Sequence, residues 1–146
     1  EFAQVMSQNP QVTTVVLQDM PEARDDLAVL ELGYRVRALG LDTELQSDSD
    51  IARGAVPLFL AGARRRMVEG AGIGLSSWVE GSKIGRDLPA EAPEHFARRK
   101  YVQEMLGSDA FYWFALQAAP EGEIHNMTAQ EIVHYGLVTE PVKVWN

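Results

Sequence analysis

Apolar residues change period several times along this chain, and each change marks an element. The stretch VTTVVL, Val12 to Leu17, is β-branched and almost continuously apolar. That pattern predicts a strand buried on both faces, as in a parallel sheet. Leu27, Leu30, Val36 and Leu39 then recur at helical spacing and end at Gly40, a C-cap residue. DTELQ, residues 42–46, follows as a short strand. Ile51 to Ala61 is apolar on nearly every side, which predicts a buried helix. Pro57 belongs in its first turn, because an interior proline costs about 3 kcal/mol. The helix therefore starts near Gly54 and sets Arg53 at its N-terminal edge.

Further on, RRMVEGAGIGLSSW, residues 65–78, reads as two short strands around a Glu69–Gly72 turn. Residues 79–95 hold several Gly and Pro and read as a lid or surface loop. Two helical patterns follow, one through Phe96, Tyr101, Val102, Met105 and Leu106, the other from Asp109 to Ala119. The aromatic run Phe111 to Phe114 within the second reads as core or as an oligomer face. Thr128 with Glu131 three residues later is a capping box for a helix that runs to Gly136. LVTEPVKVW, residues 137–145, closes as a strand. Phe2 to Ser7 reads as the end of a helix stopped by Asn9-Pro10. Strands alternating with helices, without repeat or linker, give a single α/β domain over residues 1–146.

Charge narrows the partners. Thirteen basic and 21 acidic residues leave a net charge of −8. Nucleic acid and anionic membrane surfaces are disfavoured, since phosphate contacts need clustered Lys and Arg. The runs Arg64-Arg65-Arg66 and Arg98-Arg99-Lys100 read as solvated faces. The absence of cysteine excludes disulfides, zinc-thiolate sites and a Cys nucleophile. No apolar run approaches the ~18 residues of a membrane span. The start of the chain lacks the features of a signal peptide. His95, His125 and His134 do not show metal-ligand spacing. Neither a metal nor a cofactor is expected.

Four segments, in this order and spacing, resemble the Clp protease–crotonase superfamily, in particular a small bacterial branch that is often exported. They are VVLQDMPEARDDLAVLELGYRVRALGLDT, IARGAVPLFLAG, VEGAGIGLSSW and MTAQEIVHYGLV. The resemblance covers almost the whole chain. It implies an α/β spiral of ββα units, whose expected first strand is not visible here. It also implies homo-oligomers and an exported or periplasmic location, although the sequence itself leaves the cytoplasm open.

Serine peptidases of this superfamily use a Ser-His-Asp triad, a helix N-terminus behind the nucleophile and a Gly-rich oxyanion loop. Carried onto this chain, the nucleophile position is Arg53, in Ala52-Arg53-Gly54, and Arg is no nucleophile. The base position, in Gly74-Leu75-Ser76-Ser77-Trp78, is Ser76, which cannot take a proton near neutral pH. The oxyanion loop reads Pro21-Glu22-Ala23, where glycine freedom is lost and a negative charge would oppose an oxyanion; Gly54 completes the oxyanion-loop equivalents. The orienting acid corresponds to Glu121 or Glu123.

Three losses together imply a pseudoenzyme that acts in binding or assembly, with a protein or peptide partner the sequence does not name. A second reading is a serine hydrolase rebuilt on Ser76 or Ser77, with His125 or Glu123 as base; His125 is the one histidine placed to reach the cleft. A third is an anion-binding cleft at Arg53. A cation at a helix N-terminus is disfavoured by ~0.3–1 kcal/mol, so Arg53 needs Asp48, Asp50, Glu22, water or a ligand carboxylate. His95 reads as a helix-start residue and His134 as exposed.

Overall fold

A computed structural model describes residues 6–9, 11–20, 26–52, 55–120 and 122–144. Its centre is one long strand that serves several short ones. Strand β1 (Thr14–Met20) lies parallel to β2 (Asp42–Ala52), and helix α1 (Asp26–Ala38) makes the crossover that a parallel pair requires. On the other edge of β2, β3 (Arg65–Met67) pairs with Thr43–Leu45. Strand β4 (Gly72–Leu75) then pairs with Asp50–Ala52, again in parallel. A short β7 (His125–Asn126) adds antiparallel beyond β4.

Between its two partners β2 bulges. Leu17 faces Leu45, but Asp19 already faces Asp50. The extra residues are pinned by Ser49, whose hydroxyl donates to the Leu17 carbonyl at 2.6 Å and accepts the Gln46 N–H at 2.8 Å. The strand expected at residues 42–46 therefore runs on to Ala52. Ile51 and Ala52 belong to it and not to the following helix. Ile51 is buried and Ala52 partly buried at a strand end, and a short apolar run alone does not distinguish a strand from a buried helix.

Helix α2 (Val56–Leu60) begins beyond Gly54 with Pro57 in its first turn, as its sequence requires. Val56, Leu58, Phe59 and Leu60 are all buried, so the helix has no polar face. The Tyr101 hydroxyl donates to the Pro57 carbonyl at 2.6 Å from helix α3 (Phe96–Leu106). Tyr101 is fully buried, and burial pushes its phenol well above the usual range. Gly33 lets α1 pass this ring: a Cβ there would lie 2.0 Å from the Tyr101 oxygen.

Two arginines close the far end of α2. Arg37 donates to the carbonyls of Leu60, Ala61, Gly62 and Met105. Arg65 donates to Gly62, Gly136 and Leu137. The expectation of a solvated 64–66 run fails at Arg65, which is 7% exposed. Strand alternation is the cause: Arg65 and Met67 point inward, while Arg66 reaches Asp42 and Glu44 outside. Burial, with Arg37 nearby, brings the Arg65 pKa down to about 10, so it stays charged at neutral pH.

The 79–95 excursion contains a hairpin, β5 (Val79–Glu80) with β6 (Lys83–Ile84), and two 3-10 turns. Helices α3 and α4 (Ala110–Gln117) follow, with Phe111 and Tyr112 in the core and Trp113 and Phe114 packed against it. Helix α5 (Ala129–His134) carries the Thr128–Glu131 capping box. Residues 137–145 do not form the expected strand among the described residues; they make one bridge, Val68 to Lys143. Pro141 has no N–H to give a ladder. Residues 6–8 are helical, whereas the rest of the Phe2–Ser7 helix, apart from Met6 and Ser7, lies outside the described residues.

Candidate functional site

Two of the candidate segments, those of Ser76 and His125, meet at one end of the sheet. Ala52, the last residue of β2, pairs with Gly74 of β4, and Gly74 pairs with Asn126 of β7. Leu75 pairs with His125. Gly74 is needed here, since a Cβ would stand 2.8 Å from the Ile124 side chain. Arg53, Gly54, Glu22, Ala23 and Glu121 lie outside the described residues.

The rebuilt-hydrolase reading joins Ser76 or Ser77 with His125 or Glu123. The structure separates their hydrogen bonds. The Ser77 hydroxyl accepts the Arg86 N–H at 2.9 Å and donates to the Trp78 carbonyl at 3.1 Å. Its proton therefore faces a carbonyl and not a base. The Ser76 hydroxyl oxygen is buried and has no hydrogen-bond partner among the described residues. Glu123 is exposed on the loop before β7.

His125 is engaged with Glu131. Its Nε2 lies 2.8 Å from Glu131 Oε1, the same oxygen that accepts the Thr128 N–H at 2.9 Å. A carboxylate only accepts, so Nε2 carries the proton and donates. These bonds, the Thr128 amide first and His125 second, hold the Glu131 carboxyl below the usual carboxylate range. Glu131 is thus the acid beside His125, a partner that the sequence showed only as a cap. The signal was there: an acid six residues after a histidine, brought back by the turn that the cap itself makes.

The structure adds a second polar cluster. His95 sits at the start of α3, as expected, but it is 1% exposed. Its Nδ1 lies 2.6 Å from the Tyr112 hydroxyl, which also accepts the Trp78 indole N–H at 2.9 Å. Trp78, Tyr112 and Trp113 meet the imidazole edge to face. His134 is exposed, as expected. Among the described residues no three His, Asp or Glu side chains are grouped to hold a metal ion. An open groove of about 820 Å³ lies elsewhere, between Glu44, Arg66, Val68, Glu140 and Lys143, away from all of these serines and histidines.

A mainly parallel sheet with crossover helices defines an α/β protein. Solved structures bear out that class. The chain is similar to a mutant of the 1510-N membrane-bound stomatin-specific protease, with a TM-score of 0.59 and 14% identity over 99% of this chain and 69% of the other. It is similar to a second mutant of that protease, in complex with a substrate peptide, at 0.59 and 12%, covering 99% and 65%. It is also similar to a peptidase from Plasmodium falciparum, at 0.57 and 8%, covering 99% and 86%. No protein-family model matches the sequence, and no curated protein matches it. The chain has the Clp protease-like fold. Among the described residues, no helix is long and apolar enough to cross a membrane.

Proposed function

We propose that this Clp protease-like domain no longer hydrolyses peptide bonds and acts in binding or assembly. The observation that carries this reading is the hydrogen bonding of the serines. A serine nucleophile needs its hydroxyl on a base, yet Ser77 gives its proton to a carbonyl and Ser76 touches no base among the described residues. The residues at the family's nucleophile and base positions, Arg53 and Ser76, support the same conclusion. The retained fold then serves as a surface for a second copy or for a protein or peptide partner.

One observation favours a second reading, a rebuilt hydrolase. His125 is oriented by a carboxylate, as a catalytic histidine is, and its Nδ1 carries no proton in the neutral ring. Treatment with a broad serine-reactive fluorophosphonate, read by intact mass and peptide mapping, separates the two. No adduct on folded protein, beside a labelled active relative, is the expected outcome. A stoichiometric adduct on Ser76 or Ser77 that is lost in His125→Ala would establish the hydrolase instead.

A further inference from the structure

The β5–β6 hairpin is attached to the body in an unusual way. It has two residue pairs, Val79 with Ile84 and Glu80 with Lys83, around a turn in which Gly81 takes a φ of +62°. A two-stranded hairpin of this size has little stability of its own. It also buries almost nothing: residues 79–83 are exposed, Val79 at 64%. What holds its outer part is a pair of ionic clips to the start of α3. Glu80 on β5 accepts from Arg98 Nη2 at 3.0 Å. Lys83 on β6 donates to Glu94 at 2.5 Å.

Its base is pinned differently. The Trp78 carbonyl accepts the Gly85 N–H at 3.0 Å, and the Ser77 hydroxyl accepts the Arg86 N–H. The Trp78 indole donates to buried Tyr112. Gly85 presses so close to this indole that a Cβ would stand 2.5 Å from it. Base and tip therefore differ in kind: the base is held by packing and partly buried hydrogen bonds, the tip by ion pairs whose hairpin members, Glu80 and Lys83, are exposed. Beneath the tip lies Arg98, whose guanidinium stacks on the Trp78 ring at 3.9 Å and whose side chain is 8% exposed, while its partner Glu80 is 55% exposed.

We propose that the β5–β6 hairpin is a salt-released strap. Residues 79–84 swing away from α3 as a unit about the base at Ser77, Trp78, Gly85 and Arg86. The swing uncovers the Arg98 guanidinium and the cation–indole pair it forms with Trp78. Exposed ion pairs weaken as salt rises, whereas buried hydrogen bonds and packing do not. Local opening of such a weakly attached unit precedes global unfolding. The strap is independent of whether the domain hydrolyses anything, because neither clip involves a candidate catalytic residue.

Residue-resolved amide hydrogen exchange on the whole chain tests this. Between about 0.05 M and about 1 M NaCl, the paired hairpin amides should exchange about fivefold faster, while β4 and α3 hold their rates. The Trp78 indole N–H should stay protected, because the base does not open. The double variant Glu80→Gln/Lys83→Gln should begin at the high-salt rate and lose the salt dependence. Both replaced side chains are exposed, and the unchanged β4 and α3 rates verify its fold. Salt-independent hairpin exchange in the parent would overturn the proposal. So would a double variant as protected as the parent, or hairpin and α3 amides accelerating together.

Discussion

The two ends of α2 and β4 treat polar groups in opposite ways. At the far end of α2, Arg65 is buried and Arg37 partly buried, and both guanidinium groups donate to backbone carbonyls. They tie α1, the α2 exit, α3 and the turn after α5 into one body. At the β4–β7 end, Ser77 bonds its own neighbours, Ser76 bonds nothing described, and His125 bonds a helix cap. The first end holds the fold and the second holds very little. A fold built this way tolerates change at its strand ends. If that contrast is right, substitutions at the two ends must differ sharply in cost.

The largest effect is expected at Arg65. Arg65→Met strips the carbonyls of Gly136 and Leu137 of their Arg65 donor and leaves Gly62 with Arg37 alone. Stability should fall by about 3 kcal/mol, since orphaned buried polar groups cost far more than a lost surface bond. Urea unfolding measures this. A loss under about 1 kcal/mol would break the comparison, because Arg65 would then be no more structural than a surface residue.

Gly33→Ala comes next. The new Cβ meets the Tyr101 oxygen at 2.0 Å, and either α1 moves or Tyr101 gives up Pro57. Overpacking of this kind costs about 1–3 kcal/mol. The double variant with Tyr101→Phe removes the nearest atom and should recover part of the loss. The coupling between the two substitutions sharpens the claim that this end is packed atom against atom.

Much of the fold was legible, and the reason is physical. The VTTVVL strand, the α1 spacing, Pro57 in a first turn and the Thr128 cap each follow from local rules, although Val16, Leu27 and Leu39, apolar members of the first two patterns, are exposed. What escaped reading depended on contacts distant in sequence. Arg65 looks like its neighbours until strand alternation turns it inward. Ile51 is as apolar in a strand as in a helix. The two-residue β7 carries no pattern, and Glu131 read only as a helix cap. His95 reads as a helix start, which it is, but nothing local reveals three aromatic rings closing over it.

At the β4–β7 end the costs should be small, and the cap is the largest of them. Thr128→Ala removes the acceptor for the Glu131 N–H and should cost about 1 kcal/mol. The cap also has an acid signature. The Glu131 carboxyl is held below its usual value by the Thr128 amide and His125, so the folded state favours its ionised form. Its contribution is complete above the unfolded carboxylate range and is lost as pH falls through the depressed value. Glu131→Gln should therefore lower stability at pH 7 and flatten its decline on acidification. An unchanged acid profile would mean that the helix cap draws nothing from the charge.

Ser76→Ala should have the smallest effect of all. The hydroxyl is buried and has no partner among the described residues, so its removal sacrifices no described bond. A buried unpaired hydroxyl is itself unfavourable, and the alanine should fold within about 0.5 kcal/mol of the parent or slightly better. The same variant bears on the proposed function, because Ser76 is one of the two serines a rebuilt hydrolase would use. Urea unfolding together with an ester-hydrolysis assay reads both consequences at once. Unchanged stability with no activity in either protein fits a strand end released from chemistry. A stability loss above about 1 kcal/mol would show that the hydroxyl is bonded in solution, and lost turnover would make Ser76 part of a working site.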